Sequence, residues 1–304
     1  MELTGKLLKG LDGLYTVKAG NDLLTCKCGG AIRHRGEKPL IGDDVTLSGE
    51  GNDYLITEIL PRRNSLIRPP LANVDTLFLV LAVTKPEPSL ITSDKLISIA
   101  EYNHIVPVVI ITKDDLDENR AEALSAIYRK SGFDVFVTSS VRRDGENDSL
   151  KDFILSRMKD KTSAFAGASG VGKSTLLNAL FSSLSLESGE ISRKIERGKH
   201  TTRHVELFPL SDVTGDPGLS GYLADTPGFG MLDLIRFDFF PLEELPLTFR
   251  EFVPLLTECR YTKCTHTKEE GCAVLRAVRD GRIAPSRHES FLEMYADLKT
   301  KKKW

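Results

Sequence analysis

The chain has no hydrophobic run long enough to cross a bilayer. Its longest, Leu77 to Val83, falls far short of the ~20 residues a spanning helix needs, and it reads as a buried strand. Neither sign of charge is in excess: 41 Lys and Arg stand against 43 Asp and Glu, a net charge of -2. That balance does not advertise a nucleic-acid binder, nor exclude one, because phosphate contact depends on local patches. Met1 to Lys9 carries no apolar run behind a basic cluster, so no signal peptide, no membrane attachment and a cytoplasmic location are expected. An even set of cysteines is also missing. The five, Cys26, Cys28, Cys259, Cys264 and Cys272, argue against a disulfide framework. Aromatic residues are scarce at the N-terminal end, where Tyr15 and Tyr54 stand alone in the first 66 positions. No internal repeat is visible.

What is present suits a globular protein of several domains. The chain has 304 residues, of which 40% are hydrophobic and 28% charged, enough apolar material for a real core. Residues 1–66 hold short alternating segments such as Leu14 to Val17, Asp44 to Leu47 and Tyr54 to Ile56, punctuated by glycine. This pattern predicts a small all-β barrel, with a tight turn at Gly42-Asp43 leading into a strand. Arg68-Pro69-Pro70 closes the module. Beyond it strands alternate with helices. Strands are expected at 74–83, 106–112, 133–138, 163–167, 204–208 and 222–225, and helices at 92–102, 120–130 and 150–159. Such alternation implies a parallel sheet covered by helices. From about 235 the composition shifts to a helical, cysteine-containing segment.

Gly167-Ala168-Ser169-Gly170-Val171-Gly172-Lys173-Ser174, followed by Thr175, fits G-x-x-x-x-G-K-[ST] between an expected strand and an expected helix at 175–181. Glycines there let backbone N–H groups turn inward around phosphate oxygens. Lys173 would reach the β- and γ-phosphates, and Ser174 would offer its hydroxyl to Mg²⁺. Thr112-Lys113-Asp114-Asp115 ends the strand at 106–112 and is close to the N-K-x-D that reads guanine. A carboxylate at Asp115 would accept from the guanine N1–H and 2-amino group together, and the Lys113 stem would lie along the base. Threonine in place of asparagine removes an amide that braces the loop. Thr138-Ser139-Ser140, after the next strand, is placed to supply a last base contact from a backbone N–H.

Asp225-Thr226-Pro227-Gly228 follows another strand. Its aspartate would hold Mg²⁺ through water, and the Gly228 N–H would touch the γ-phosphate. Between it and the phosphate loop lies Gly198-Lys199-His200-Thr201-Thr202-Arg203, where Thr201 or Thr202 would complete the Mg²⁺ shell. Phe229 stands where many GTPases carry the glutamine that orients water. Either a partner or His200 then helps place that water, or His200 is a loop histidine without a catalytic role.

The base reader precedes the phosphate loop, the reverse of the usual order, so the domain is a circular permutation. Gly198 to Thr202 and Asp225 to Phe229, in this order, resemble the RsgA/YjeQ family of circularly permuted bacterial GTPases. The likeness runs along nearly the whole chain. It implies a multidomain protein: an N-terminal all-β OB-fold barrel binding RNA at 1–66, a central α/β circularly permuted P-loop GTPase domain at 67–234, and a C-terminal α-helical zinc-binding domain at 235–304. It also implies action in late maturation of the small ribosomal subunit, contact with its rRNA, and GTP hydrolysis to GDP on ribosomal activation. A monomer is expected. Two other readings stand beside it: a nucleotide-gated RNA-binding scaffold with negligible turnover, and a P-loop kinase or ATPase with a zinc appendage.

Cys259-x4-Cys264-x-His266-x5-Cys272 offers three thiolates and one imidazole, a tetrahedral set for one structural Zn²⁺ with no open position. The resemblance implies the same four ligands. Cys26 and Cys28 lie two apart on an expected strand and share a face. With no second pair nearby they are not expected to bind metal. Basic residues offered for RNA contact include Arg33, His34, Arg35, Lys38, Arg62, Arg63 and Arg68, and later Arg260, Lys263, Arg276, Arg279, Arg282, Arg287 and the lysines at the end of the chain. With so few aromatics to stack on bases, contact would be with backbone and shape.

Overall fold

A computed structural model describes residues 2–51, 53–139, 146–181, 205–225 and 233–301. By density of contacts the chain parts into two units, one of residues 1–76, 151–165 and 174–228, the other of 77–150, 166–173 and 229–304.

The first unit opens with β1 (Glu2–Leu11), β2 (Leu14–Ala19), β3 (Asp22–Cys28), the short helix α1 (Gly30–His34), β4 (Asp44–Glu50) and β5 (Asp53–Ile59). They close into a barrel of order β1-β2-β3-β5-β4, with β4 returning to β1. All pairs are antiparallel except β3 with β5. Alternation fills the interior: Leu7, Val17, Ala19, Cys26, Cys28, Val45, Leu47 and Ile56 face one core. Cys26 and Cys28 do share a face, and it is the dry one. Burial pushes the Cys26 thiol up to about 11, so it behaves as a small hydrophobe. The turn before β4 is as tight as expected. Gly42 has φ 91°, and a Cβ there would come within 2.2 Å of the Ala72 carbonyl oxygen. Next to it, the fully buried Asp43 accepts from the Leu40 N–H at 2.7 Å and from Arg62 Nε and Nη2 at 2.7 and 2.8 Å. This pair ties the chain beyond the barrel to the barrel floor. The short strands β6 (Ser65–Leu66) and β7 (Leu71–Ala72) follow.

The second unit holds β8 (Thr76–Ala82), α2 (Leu90–Tyr102), β9 (Val106–Thr112), α3 (Glu118–Lys130) and β10 (Asp134–Thr138), with strand order β10-β9-β8. β8 is buried throughout and β9 after its first residue, the mark of strands covered on both faces. β10 runs parallel to β9 with Thr138 opposite Thr112. Ser89 caps α2 by accepting from the Thr92 N–H, and Asp117 caps α3 by accepting from the Arg120 N–H.

Helix α4 (Glu146–Met158) leads to β11 (Thr162–Ala166), and α5 (Lys173–Leu180) begins two residues earlier than its apolar spacing suggests. Its first turn is made by the phosphate loop itself. Then come β12 (Glu206–Pro209), α6 (Leu210–Thr214) and β13 (Tyr222–Asp225). β13 pairs with β11 in parallel and with β12 antiparallel. In this first unit Lys9 on β1 meets Glu206 on β12 at 3.1 Å.

The C-terminal module lies within the second unit. Two 3₁₀ segments, Leu242–Thr248 and Val253–Glu258, precede α7 (Ala273–Arg279) and α8 (Pro285–Thr300). Phe249, Phe252 and Phe291 are fully buried, with ring centroids 5.0 to 5.4 Å apart. The module is fastened to α2 by Arg287 on α8. Its side chain is completely buried, with Nη1 2.5 Å from Asp94 on α2 and Nε 2.7 Å from Glu251. Burial opposes its charge, and the two carboxylates outweigh that and hold it protonated.

Asp43→Ala strands the Arg62 guanidinium and one backbone donor. The expected loss is about 2 to 4 kcal/mol of stability, read as a lower midpoint in urea unfolding followed by circular dichroism.

Candidate nucleotide site and metal centre

The phosphate loop leaves the end of β11 in a conformation that only glycine tolerates. Gly167 has φ 148°, and a Cβ there would lie 2.2 Å from the Val80 carbonyl oxygen. Gly170 and Gly172 have φ 79° and 94°, again in the left-handed region. Ala168, Ser169 and Gly170 are exposed, while Val171 is buried as the loop's anchor. Lys173 folds back over the turn and donates from Nζ to the carbonyls of Gly167 and Ala168, at 2.7 and 2.8 Å. Burial lowers its pKa. Ser174 and Thr175 sit exposed in the first turn of α5. A turn of this shape, entering a helix, presents N–H donors to an anion.

The base-reading loop is built against it. Thr112 ends β9 with its side chain buried, its Oγ1 2.6 Å from the Val171 carbonyl and 3.1 Å from that of Leu81. A hydroxyl has one proton, and the shorter contact is to the phosphate loop. Threonine was expected to lose the brace of asparagine; instead its hydroxyl supplies one. Lys113, with φ 61°, donates from Nζ to the Gly170 carbonyl at 2.8 Å and to the Lys85 carbonyl. Asp114 is buried beneath the turn and Asp115 is exposed above it. The Ser139 hydroxyl donates to the Asp115 carboxylate. Three segments separated in sequence, 112–115, Ser139 and 167–173, therefore meet within the second unit.

Of the residues assigned to the γ-phosphate, Gly198 to Arg203 (His200, Thr201 and Thr202 among them) and Thr226 to Phe229 (Gly228 among them) lie outside the described residues, as does Ser140. The backbone of Asp225 ends β13 opposite Glu206.

The ligand atoms of Cys259, Cys264, His266 and Cys272 lie within 4.8 Å of one another. His266 Nδ1 is 3.6 Å from Cys259 Sγ and 3.5 Å from Cys272 Sγ. A tetrahedral shell of bonds of about 2.0 and 2.3 Å has a nitrogen–sulfur edge of about 3.5 Å, so the set fits a metal ion. Backbone N–H groups of Ala273 and Leu275 point at Cys259 and Cys272 Sγ, at 3.4 and 3.5 Å, as donors to thiolates do. Burial, with Cys272 and Cys259 beside it, pushes the Cys264 thiol up to about 12. A cation among the sulfurs would offset that.

Glu269, inside the ligand loop, escapes a spacing argument. It accepts from the Thr265 N–H at 2.7 Å and hydroxyl, and from the Thr267 and Lys268 N–H groups at 3.1 Å. Burial works to raise its pKa, yet these donors hold the carboxyl down at about 2. His288 Nε2 lies 2.8 Å from the His266 carbonyl. Among the basic residues offered for RNA, Arg287 is excluded by its complete burial in an ion network. Arg62 and Arg63 are partly engaged by Asp43 and Asp75.

The RsgA GTPase family model matches residues 59–235 and the RsgA N-terminal domain model residues 4–54. The chain belongs to the RsgA GTPase family. A relative in Caldanaerobacter subterraneus, named small ribosomal subunit biogenesis GTPase RsgA, is 41% identical over 99% of this chain and 97% of its own. One in Alkaliphilus metalliredigens with the same name is 40% identical over 99% of each. Among solved structures, YloQ, titled a circularly permuted GTPase, aligns at TM-score 0.77 with 35% identity, covering 100% of this chain and 97% of that one. YjeQ from Thermotoga maritima aligns at 0.80 with 31% identity, covering 99% and 100%. The permuted GTPase fold, with its N-terminal barrel, is thus the family's.

Gly167→Ala is expected to abolish nucleotide binding with the barrel still folded, measured by titration with a fluorescent guanine nucleotide. Thr112→Val keeps the shape and removes the brace; a rise of roughly tenfold in GDP Kd is expected from one lost buried hydrogen bond. Glu269 is held below its ordinary 4.5, so its support is full above pH ~4.5 and fades as pH falls toward 2. The parent should therefore melt above Glu269→Gln at pH 6, with the gap narrowing below pH ~4.5.

Proposed function

We propose that this GTP hydrolase assists late maturation of the small ribosomal subunit. It binds rRNA, hydrolyses GTP to GDP and phosphate when the subunit activates it, and leaves after hydrolysis. The observation that supports this most is the bracing of a guanine-type loop against a phosphate loop, in a chain whose relatives carry the name of that task. In this reading Asp115 selects guanine, with Lys113 along the base and Ser139 steadying the carboxylate. Lys173 and the N–H groups of 167–175 hold the phosphates. Ser174, Asp225 and one of Thr201 and Thr202 would hold Mg²⁺, which when bound neutralises charge on the β- and γ-phosphates. The Gly228 N–H meets the γ-phosphate, and His200 is the candidate for placing water in the absence of a glutamine at 229.

The same reading divides the chain into an RNA-binding barrel at 1–66, the permuted GTPase domain at 67–234 and a zinc domain at 235–304. Cys259, Cys264, His266 and Cys272 would hold one structural zinc, whose binding supplies folding energy to a small module. The protein works in the cytoplasm as a monomer. Among the described residues no helix is long and apolar enough to cross a membrane.

GTP hydrolysis with and without small ribosomal subunits, with ATP and large subunits as controls, tests this. Strong stimulation confined to GTP and the small subunit is expected. Equal rates with and without subunits would sink the ribosome-triggered mechanism, and negligible turnover in both would leave a nucleotide-gated RNA-binding scaffold. His200→Ala is expected to lower the stimulated rate; an unchanged rate removes this histidine from the mechanism.

A further inference from the structure

The turn between α3 and β10 is held from outside its own fold by the C-terminal module. Arg250 Nη1 donates to the Gly132 carbonyl at 2.9 Å, and its guanidinium carbon stands 4.2 Å over the Phe133 ring. The same arginine reaches back to Glu101 on α2 with Nε, at 2.8 Å. The Arg287 guanidinium lies 5.5 Å from the same ring. Glu251, which Arg287 pairs with, lies 3.1 Å from the Ser131 hydroxyl, and Lys130 Nζ donates to the Gly281 carbonyl at 2.9 Å. A cation over a ring face gains attraction beyond apolar contact, and Phe133 has two.

This turn launches β10, which stands at the edge of its sheet and pairs with β9. Its residues Val135 to Val137 are only half-buried. An edge strand has one ladder to fix its height, so an anchor at its start has more to decide than it would for a central strand. About 17 Å further on, at ~3.3 Å per residue, the strand delivers Ser139, whose hydroxyl meets Asp115.

We propose that Arg250 and Arg287 are positioning residues for guanine recognition: by holding the turn 131–133 they set the height of β10, and so the point at which Ser139 orients Asp115. The inference rests on the base-reading role proposed for Asp115. Neither arginine touches the nucleotide. Their effect is confined to the base, because the phosphate loop is held separately by Thr112 and Lys113.

The test is the ratio of affinities for GDP and IDP, the second lacking the 2-amino group that Asp115 accepts from. It is measured by titration of the full-length, metal-loaded protein. Arg250→Ala and Phe133→Leu should each lower the ratio by roughly threefold to tenfold, with IDP affinity, which keeps the N1–H contact to Asp115, falling less than GDP affinity and metal content held. Ser139→Ala should lower it directly, and adding Arg250→Ala to it should change little further. Arg287→Met leaves Asp94 and Glu251 unpaired and can fail to fold, so the milder variants carry the test. A folded Arg250→Ala with the parent ratio, or effects that add fully with Ser139→Ala, would overturn the positioning role. Asp115→Ala separates the two levels: a ratio it does not move defeats the base-reading assignment itself. A ratio that collapses there but stays unmoved in Arg250→Ala defeats only the positioning.

Discussion

The Val80 carbonyl oxygen stands 2.2 Å from where a Cβ on residue 167 would be, and the nucleotide site follows from that approach. With no side chain at 167 the loop can turn at once off β11. Gly170 and Gly172 then complete the turn in left-handed conformations, and Lys173 enters α5 facing back over the loop. The loop's outward carbonyls, Gly170 and Val171, are left where the base-reading loop can use them, Gly170 by Lys113 and Val171 by Thr112. One steric constraint thus sets both the cradle for phosphate and the brace for the base. The brace explains how a permuted order is tolerated. Thr112 and Val171 are 59 positions apart, and the chemistry depends on their meeting in space, whichever comes first along the chain.

Much of this arrangement was legible because it is local. β9 at 106–112 and β13 at 222–225 were read at both ends, since a continuous apolar run bounded by polar turns defines a strand covered on two faces. The phosphate loop and the Cys/His set are short patterns whose residue types suit one chemistry each. What escaped depends on distant partners. Thr112 looks like a weakened asparagine until Val171 is beside it. Arg287 looks like a surface cation, because Arg is seldom fully buried unless paired. Its partners Asp94 and Glu251 lie 193 and 36 positions away, and no periodicity announces them. Glu269 sits in plain view among the ligands, yet the loop donors it gathers are a product of the folded turn.

The Cys/His cluster and the aromatic core of the C-terminal module form one body. The His266 ring lies 6.4 Å from Phe252 and 6.3 Å from Phe291, and its carbonyl lies against His288 on α8. With the His266 ring inside the aromatic cluster, a metal ion held by these four side chains would order the core as well as the loop.

Helix α8 carries Phe291 into that core and Arg287 toward Asp94 on α2. The ion network adds little net stability, because desolvating a guanidinium and two carboxylates cancels most of their attraction. Apolar side chains could hold α8 against α2 about as firmly. They would not choose one register, since an apolar face slides at small cost. A buried guanidinium with two carboxylates from different segments has a single arrangement in which both carboxylates are hydrogen-bonded to it. Lys95 repeats the choice further along the same pair of helices, at 3.0 Å from Asp297. The network's contribution is therefore positional: it fixes where the module sits on the nucleotide fold, and the turn at 131–133 takes its place from that.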